Sequence, residues 1–190
     1  YCFIRPHALQ VDTVFHVVKG GNMQVTMGTC VGCGRAAQID SGGWNVGSYH
    51  FDTLHIETAG KRAYQVLKAR GEVNVVFTSL NAQTQRAARE AGDTTPLFDL
   101  GGGAMVVVTG GMIANGPVAT VRGDDGTPTF LQFRNSRFYA TRPWGGDPFK
   151  TIDHDDKSGY EILNSIVKQG KTTHFIRSRG AYPPEKVTRD

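Results

Sequence analysis

Apolar residues along this chain come in short runs cut by glycines and turn residues, and most runs alternate apolar with polar positions. Val11–Lys19 (VDTVFHVVK) is rich in β-branched and aromatic residues and stops at Gly20-Gly21, which predicts a strand. Asn22–Thr29, Gly34–Ile39 and Trp44–Phe51 continue the pattern, the last after the turn sequence Asp40-Ser41-Gly42-Gly43. The period then changes. Thr58–Arg70 places Ala59, Ala63, Val66, Leu67 and Arg70 at helical spacing, with Thr58 as N-cap and Gly71 as stop. Asn81–Ala91, good helix formers ahead of Gly92, predicts a second helix, and Gly159–Gln169 a last one. Val73–Thr78, Ala104–Thr109, Pro117–Arg122, Thr129–Phe133, Arg137–Thr141 and Thr172–Arg177 read as strands, and Pro148 to Asp156 as a loop. The polar end from Pro183-Pro184 is expected to fray. No internal repeat and no low-complexity segment is read. Strands, then helices, then strands predict an α+β domain, a mainly antiparallel sheet or sandwich flanked by two or three helices.

At 190 residues and 39% hydrophobic, the chain suits one domain, with a core about residues 10–145 and a C-terminal extension over 146–190. It opens with Tyr1 rather than methionine, which reads as a piece of a longer chain. The net charge of +4 arises from 21 basic and 17 acidic residues scattered without a dense basic run. No nucleic-acid partner is expected, and the excess suits docking on an acidic protein surface. No apolar run is long enough to span a membrane. Three cysteines are odd in number and too few for a disulfide framework.

Two of those cysteines form Cys30-x-x-Cys33. A structural zinc site takes four ligands, normally as two chelating pairs, and His50 and His55 complete no finger spacing, so neither metal nor cofactor is expected. A redox pair needs its first cysteine at a helix start, which this stretch lacks. Cys30 instead follows a strand and Gly28, where small neighbours leave room for a substrate and for backbone N–H donors. A hairpin at Asp40–Gly43 would return His50 beside it as a general base. Both thiols as small buried hydrophobes is the plain alternative.

Met27-Gly28-Thr29-Cys30-Val31-Gly32, followed by a glycine turn and Tyr49-His50-Phe51, resembles the Cys–His core of the protein-glutamine deamidases, the CheD-like enzymes and the catalytic domain of the cytotoxic necrotizing factors. Ala59–Leu67, Ala119–Arg122 and Asp125-Gly126 echo later segments of the toxin branch at the level of pattern. The resemblance implies Cys30 as nucleophile, His50 as base and Gln24 as the group that orients the histidine. Cys33 stays open as the alternative nucleophile, since twenty positions between Cys30 and His50 exceed the family's usual spacing. It further implies hydrolysis of a protein glutamine amide through a thioester, with transglutamination when an amine replaces water. The setting implied is a secreted toxin or effector acting in a target cell's cytosol on a protein substrate, a small GTPase or another host protein, with a cognate immunity or delivery partner.

Two further readings stand beside it. One is a cysteine peptidase or acyltransferase with the same dyad. The other is a non-enzymatic β-rich binding module of a larger secreted or viral protein. Of the remaining polar clusters, Asp153-His154-Asp155-Asp156 reads as a solvated acidic turn ahead of a divalent-ion site, and Gly101-Gly102-Gly103 as a flexible connection. Arg134, Arg137, Arg142 and Trp144 either border a cleft or form surface ion pairs.

Overall fold

The computed structural model describes residues 1–40, 47–57, 64–83, 92–114, 117–124, 127–140, 151–169 and 172–180. The chain winds through them as a stack of β-rungs. The first rung is β1 (Cys2–Ile4), β2 (His7–Leu9) and β3 (Thr13–Val17); the second is β4 (Asn22–Thr26), β5 (Thr29–Val31) and β6 (Arg35–Asp40). The third is β7 (Gly47–Asp52), β8 (His55–Glu57) and β9 (Gln65–Arg70). In the next two rungs, single long strands β10 (Val73–Gln83) and β12 (Met105–Ala114) are followed by β11 (Phe98–Gly101) and β13 (Ala119–Arg122) respectively. Then come β14 (Thr129–Arg134), β15 (Arg137–Ala140) and β16 (Ile152–His154), and finally β17 (Ser158–Gln169) and β18 (Thr172–Gly180).

Every rung pairs in parallel with the next. A 12-stranded sheet holds the first and second sides of the rungs, and a 6-stranded sheet in the order β16-β13-β11-β9-β6-β3 forms the third. Among the described residues, only β17–β18 is an antiparallel strand pair. This is a parallel β-solenoid, and it overturns the expected α+β class, the antiparallel sheet and the flanking helices. The predicted helices are strands: Gln65–Arg70 is β9, 81–83 end β10, and Gly159–Gln169 lies within β17. Residues 58–63 and 84–91 of those predictions lie outside the described residues, as do 44–46 and the end from Pro183. His154 and its neighbours at 152–153 form β16 instead of a loop.

The solenoid is a repeat, contrary to the sequence reading. Each rung turns its first corner at a residue in the left-handed region: Arg5, Met27, Thr53, Ser79, Gly110, Asn135 and Asn164 are in register, with φ between 47° and 71°. A side chain there is strained by roughly 1–2 kcal/mol, yet the inter-rung bonding runs through the corner unbroken. The N–H of Arg5 donates to the Thr26 carbonyl, Met27 to Asp52, Thr53 to Thr78 and Asn135 to Leu163, at 2.7–3.1 Å. The corner also flips the inward parity. Inward side chains therefore fall at i, i+2, i+5 and i+7, as in Tyr49-Phe51-Leu54-Ile56 and Val75-Phe77-Leu80-Ala82.

β17 reads as helical because apolar residues of both its faces, Ile162, Leu163, Ile166 and Val167, fall three and four apart, while Ile162, Ser165 and Val167 face inward around Asn164. Helix-like spacing in β9 has a second origin. Val66 and Leu67 both donate their N–H to the Leu97 carbonyl and both are buried, so strand alternation fails at that point. The same doubling recurs at Ala36-Ala37, Leu97-Phe98 and Val118-Ala119. A column of phenylalanines runs from exposed Phe3 at the first rung through Phe15 into the interior, to Phe51, Phe77, Phe98, Phe133 and Phe138, with successive ring centroids 4.9–6.1 Å apart. Such pairs add about 0.5–1.5 kcal/mol each beyond the area they bury.

Candidate binding face

Cys30 takes the last inward position of its rung's first corner, in the column of Ala8, Ile56, Ala82, Ile113, Phe138 and Val167. It is 1% exposed, and burial, followed by the neighbouring Cys33, pushes its thiol up to about 12. Cys33 is buried as well, its S–H directed at the carbonyls of Val31 (3.5 Å) and Ala8 (3.7 Å). Tyr64 is sealed beside them; burial first, then both thiols, holds its phenol well above 10. His50 belongs to β7 and faces outward, with Nε2 3.1 Å from the Thr78 hydroxyl. The hairpin that would carry His50 to Cys30 does not form, because β6 and β7 belong to different sheets. The structure therefore brings Gln24 and His50 together, as register partners in β4 and β7, and leaves both cysteines in the core.

The outer side of β4, β7 and the first half of β10 carries three aligned triplets: Asn22, Gln24, Thr26; Ser48, His50, Asp52; Asn74, Val76, Thr78. Met23, Val25, Tyr49, Phe51, Val75 and Phe77 alternate with them and fill the core, which fixes the triplets outward. Strand spacing sets the rows about 4.8 Å apart along the solenoid, and the pleat separates positions within a strand by about 6.7 Å. Seven of the nine side chains are uncharged hydrogen-bonding groups or imidazole, Val76 is apolar, and Asp52 is the one carboxylate. The side chains of Gln24, Ser48 and Asn74 have no hydrogen-bond partner among the described residues, while Asn22 Oδ1 accepts from the Ser48 N–H at 3.2 Å. Farther along the same face, Met105 and Val107, then Phe130 and Gln132, continue the rows, and Gln132 is tied to Glu161.

The outer side of the 6-stranded sheet is built differently, because its polar groups satisfy one another. Arg70 bonds Asp99 on the next rung at 2.8 Å, Arg122 reaches Asp153 in the same diagonal way, and Arg35 donates to Gln65 at 2.7 Å. Gln38 and His16 both engage Asp40. At the end of this face, Asp155 accepts the N–H groups of Gly123 and Lys157 at 3.1 Å, so the acidic stretch is a closed turn. Among the described residues no group of three His, Cys, Asp or Glu side chains is placed to hold a metal ion. No described helix is long and apolar enough to cross a membrane.

The sequence reading named Gln24 and His50 from this face and missed Asn22, Ser48, Asn74 and Thr78. A signal for them exists in the aligned segments NMQVT, SYHFD and NVVFT, polar at first, third and fifth positions except for Val76. No family model, curated protein or solved structure matches the chain.

Proposed function

We propose that this domain is a binding module whose outer face on β4, β7 and β10 takes an extended, polyhydroxylated chain, that is, a carbohydrate. The observation that carries the reading is the grid of nine aligned side chains, nearly all uncharged hydrogen-bonding groups, of which Gln24, Ser48 and Asn74 are unsatisfied within the described residues. Amides and hydroxyls can both donate and accept, which matches the hydroxyls of a sugar. Rows repeating at about 4.8 Å offer the same partners to successive units of a linear polymer. Exposed apolar Val76 and Met105 supply a surface for the ring faces.

The placing of the carboxylates favours binding over hydrolysis of the usual kind. A glycosidase of the usual kind sets two of them within about 5–9.5 Å. On this face the described residues hold Asp52 and Glu161, four strands apart, or about 19 Å. The deamidase reading draws no support from the place of its nucleophile: Cys30 lies in the core, its thiol is pushed up to about 12, and thiolate is the reactive form.

Titration of the isotope-labelled protein with linear neutral oligosaccharides tests the proposal. Amide-proton shifts are expected to map to β4, β7 and β10, and Gln24→Ala with Asn74→Ala is expected to weaken binding at least tenfold. Lys68→Ala on the opposite sheet is expected to leave it unchanged. Shifts confined to other faces, or no binding by any linear oligosaccharide at millimolar concentration, would refute it.

A further inference from the structure

Where the first face meets the second, the column of left-handed corner residues loses its side chain at one rung. Ser79 stands before the gap and Asn135 after it, and between them lies Gly110, followed by Gly111. A Cβ on Gly111 would run into the Leu80 carbonyl, so this floor has to stay bare. The walls are two strand spacings apart, about 9.6 Å. They enclose an open notch of about 490 Å³, within the size range of small-ligand sites. Its lining sets polar and cationic groups, the Ser79 hydroxyl, the Asn81 and Asn135 amides and the Arg137 guanidinium, beside the apolar Leu80 and Met112 and the Tyr139 ring. Among the described residues no carboxylate lines it, and neither Arg137 nor neighbouring Arg134 makes an ion pair.

We infer that the notch is a subsite for an acidic sugar unit, one bearing a carboxylate on a hydroxylated ring. Arg137 presents a planar fork of donors that matches a carboxylate bidentately. The amides and the serine suit ring hydroxyls, and Tyr139 offers a flat face for the ring itself. The inference rests on the carbohydrate reading of the outer face and extends it. Thr26, Asp52 and Thr78 form the edge column of the grid, and Ser79, next along β10, opens the notch, so a polymer running along the solenoid over that column comes alongside the notch at the following rung. The neutral grid then supplies general affinity, and the notch selects chains that carry carboxylates.

Calorimetric titration with a tetrameric oligogalacturonate and with its carboxyl-reduced, neutral counterpart tests this. The acidic oligomer is expected to bind about tenfold more tightly, the scale of one charge-assisted hydrogen-bonding pair. Arg137→Gln is expected to remove that difference while leaving the neutral oligomer's affinity as it was. Gly110→Asn fills the notch, and the fold tolerates it because Asn135 and Asn164 hold the same corner conformation; it is expected to abolish the preference with the melting temperature retained. Equal affinities for the two oligomers in the wild-type protein, or a preference that survives Arg137→Gln, would overturn the notch assignment alone. Failure of both oligomers to bind at millimolar concentration would overturn the outer-face reading together with it.

Discussion

Cys2 and Cys30 occupy opposite environments, one exposed on the first rung and one sealed in the core. Desolvation holds the Cys30 thiol protonated at neutral pH, and thiolate is the reactive form. Iodoacetamide should therefore alkylate Cys2 in the folded protein and reach Cys30 and Cys33 only on unfolding, which peptide mass mapping would read directly. Rapid selective labelling of Cys30 would restore the nucleophile assignment. Asp155 gives a second test. Its slight burial acts to raise its pKa, but hydrogen bonds from Ser158, Gly123 and Lys157 and the charge of Arg122 outweigh that and lower it below 3.8. A carboxyl with a lowered folded pKa contributes stability above its unfolded value and loses it as the pH falls through the folded one. The melting temperature should accordingly drop on acidification below about pH 4, and Asp155→Asn should flatten part of that drop.

At the level of elements, strand positions were largely legible and strand partners were not. Val73–Thr78 and Thr129–Phe133 are rich in β-branched and aromatic residues, and both are strands. The helices were misread where the solenoid breaks alternation, at the left-handed corner of β17 and at the doubled inward pair of β9. Both features put apolar residues three or four apart, which is a helix's own signature. Partner choice has no local signal: glycine-rich breaks mark the end of a strand whether the chain turns back or winds onward. Phe77 shows what the winding achieves, lying stacked on Phe51 at 4.9 Å and edge-on to Phe98 at 6.0 Å, joining residues of two rungs and both sheets. Phe77→Ala should cost about 3–5 kcal/mol, visible as a lower urea midpoint, because the rungs above and below cannot collapse into the cavity without breaking register.

For the whole molecule, the repeat stayed hidden because its conserved quantity is a conformation and its length drifts. The corner position is Arg, Met, Thr, Ser, Gly, Asn and Asn in turn, and the rung from Cys2 to Gln24 is shorter than the one from Val76 to Val107 by nine residues. What does recur is the inward set at i, i+2, i+5 and i+7, a spacing that neither a strand template nor a helix template contains. The candidate face suffered the same way. Gln24 and His50 were noticed through a cysteine they do not accompany, while Asn74 was invisible until register placed it two strands from Asn22.

The inter-rung hydrogen bonds of the parallel pairs all run along the solenoid's length, and this gives the domain a direction of weakness. A tensile load applied through its two ends pulls those bonds apart lengthwise instead of sliding them past one another. The terminal rung then peels while the others stay wound, since each rung contacts only its neighbours. Each event frees one rung of chain, 26 residues between Gln24 and His50, or about 90 Å of contour length. Under tension the molecule would pay out in steps of unequal size, each set by the length of a single rung, and would act as a shock absorber between whatever holds its two ends.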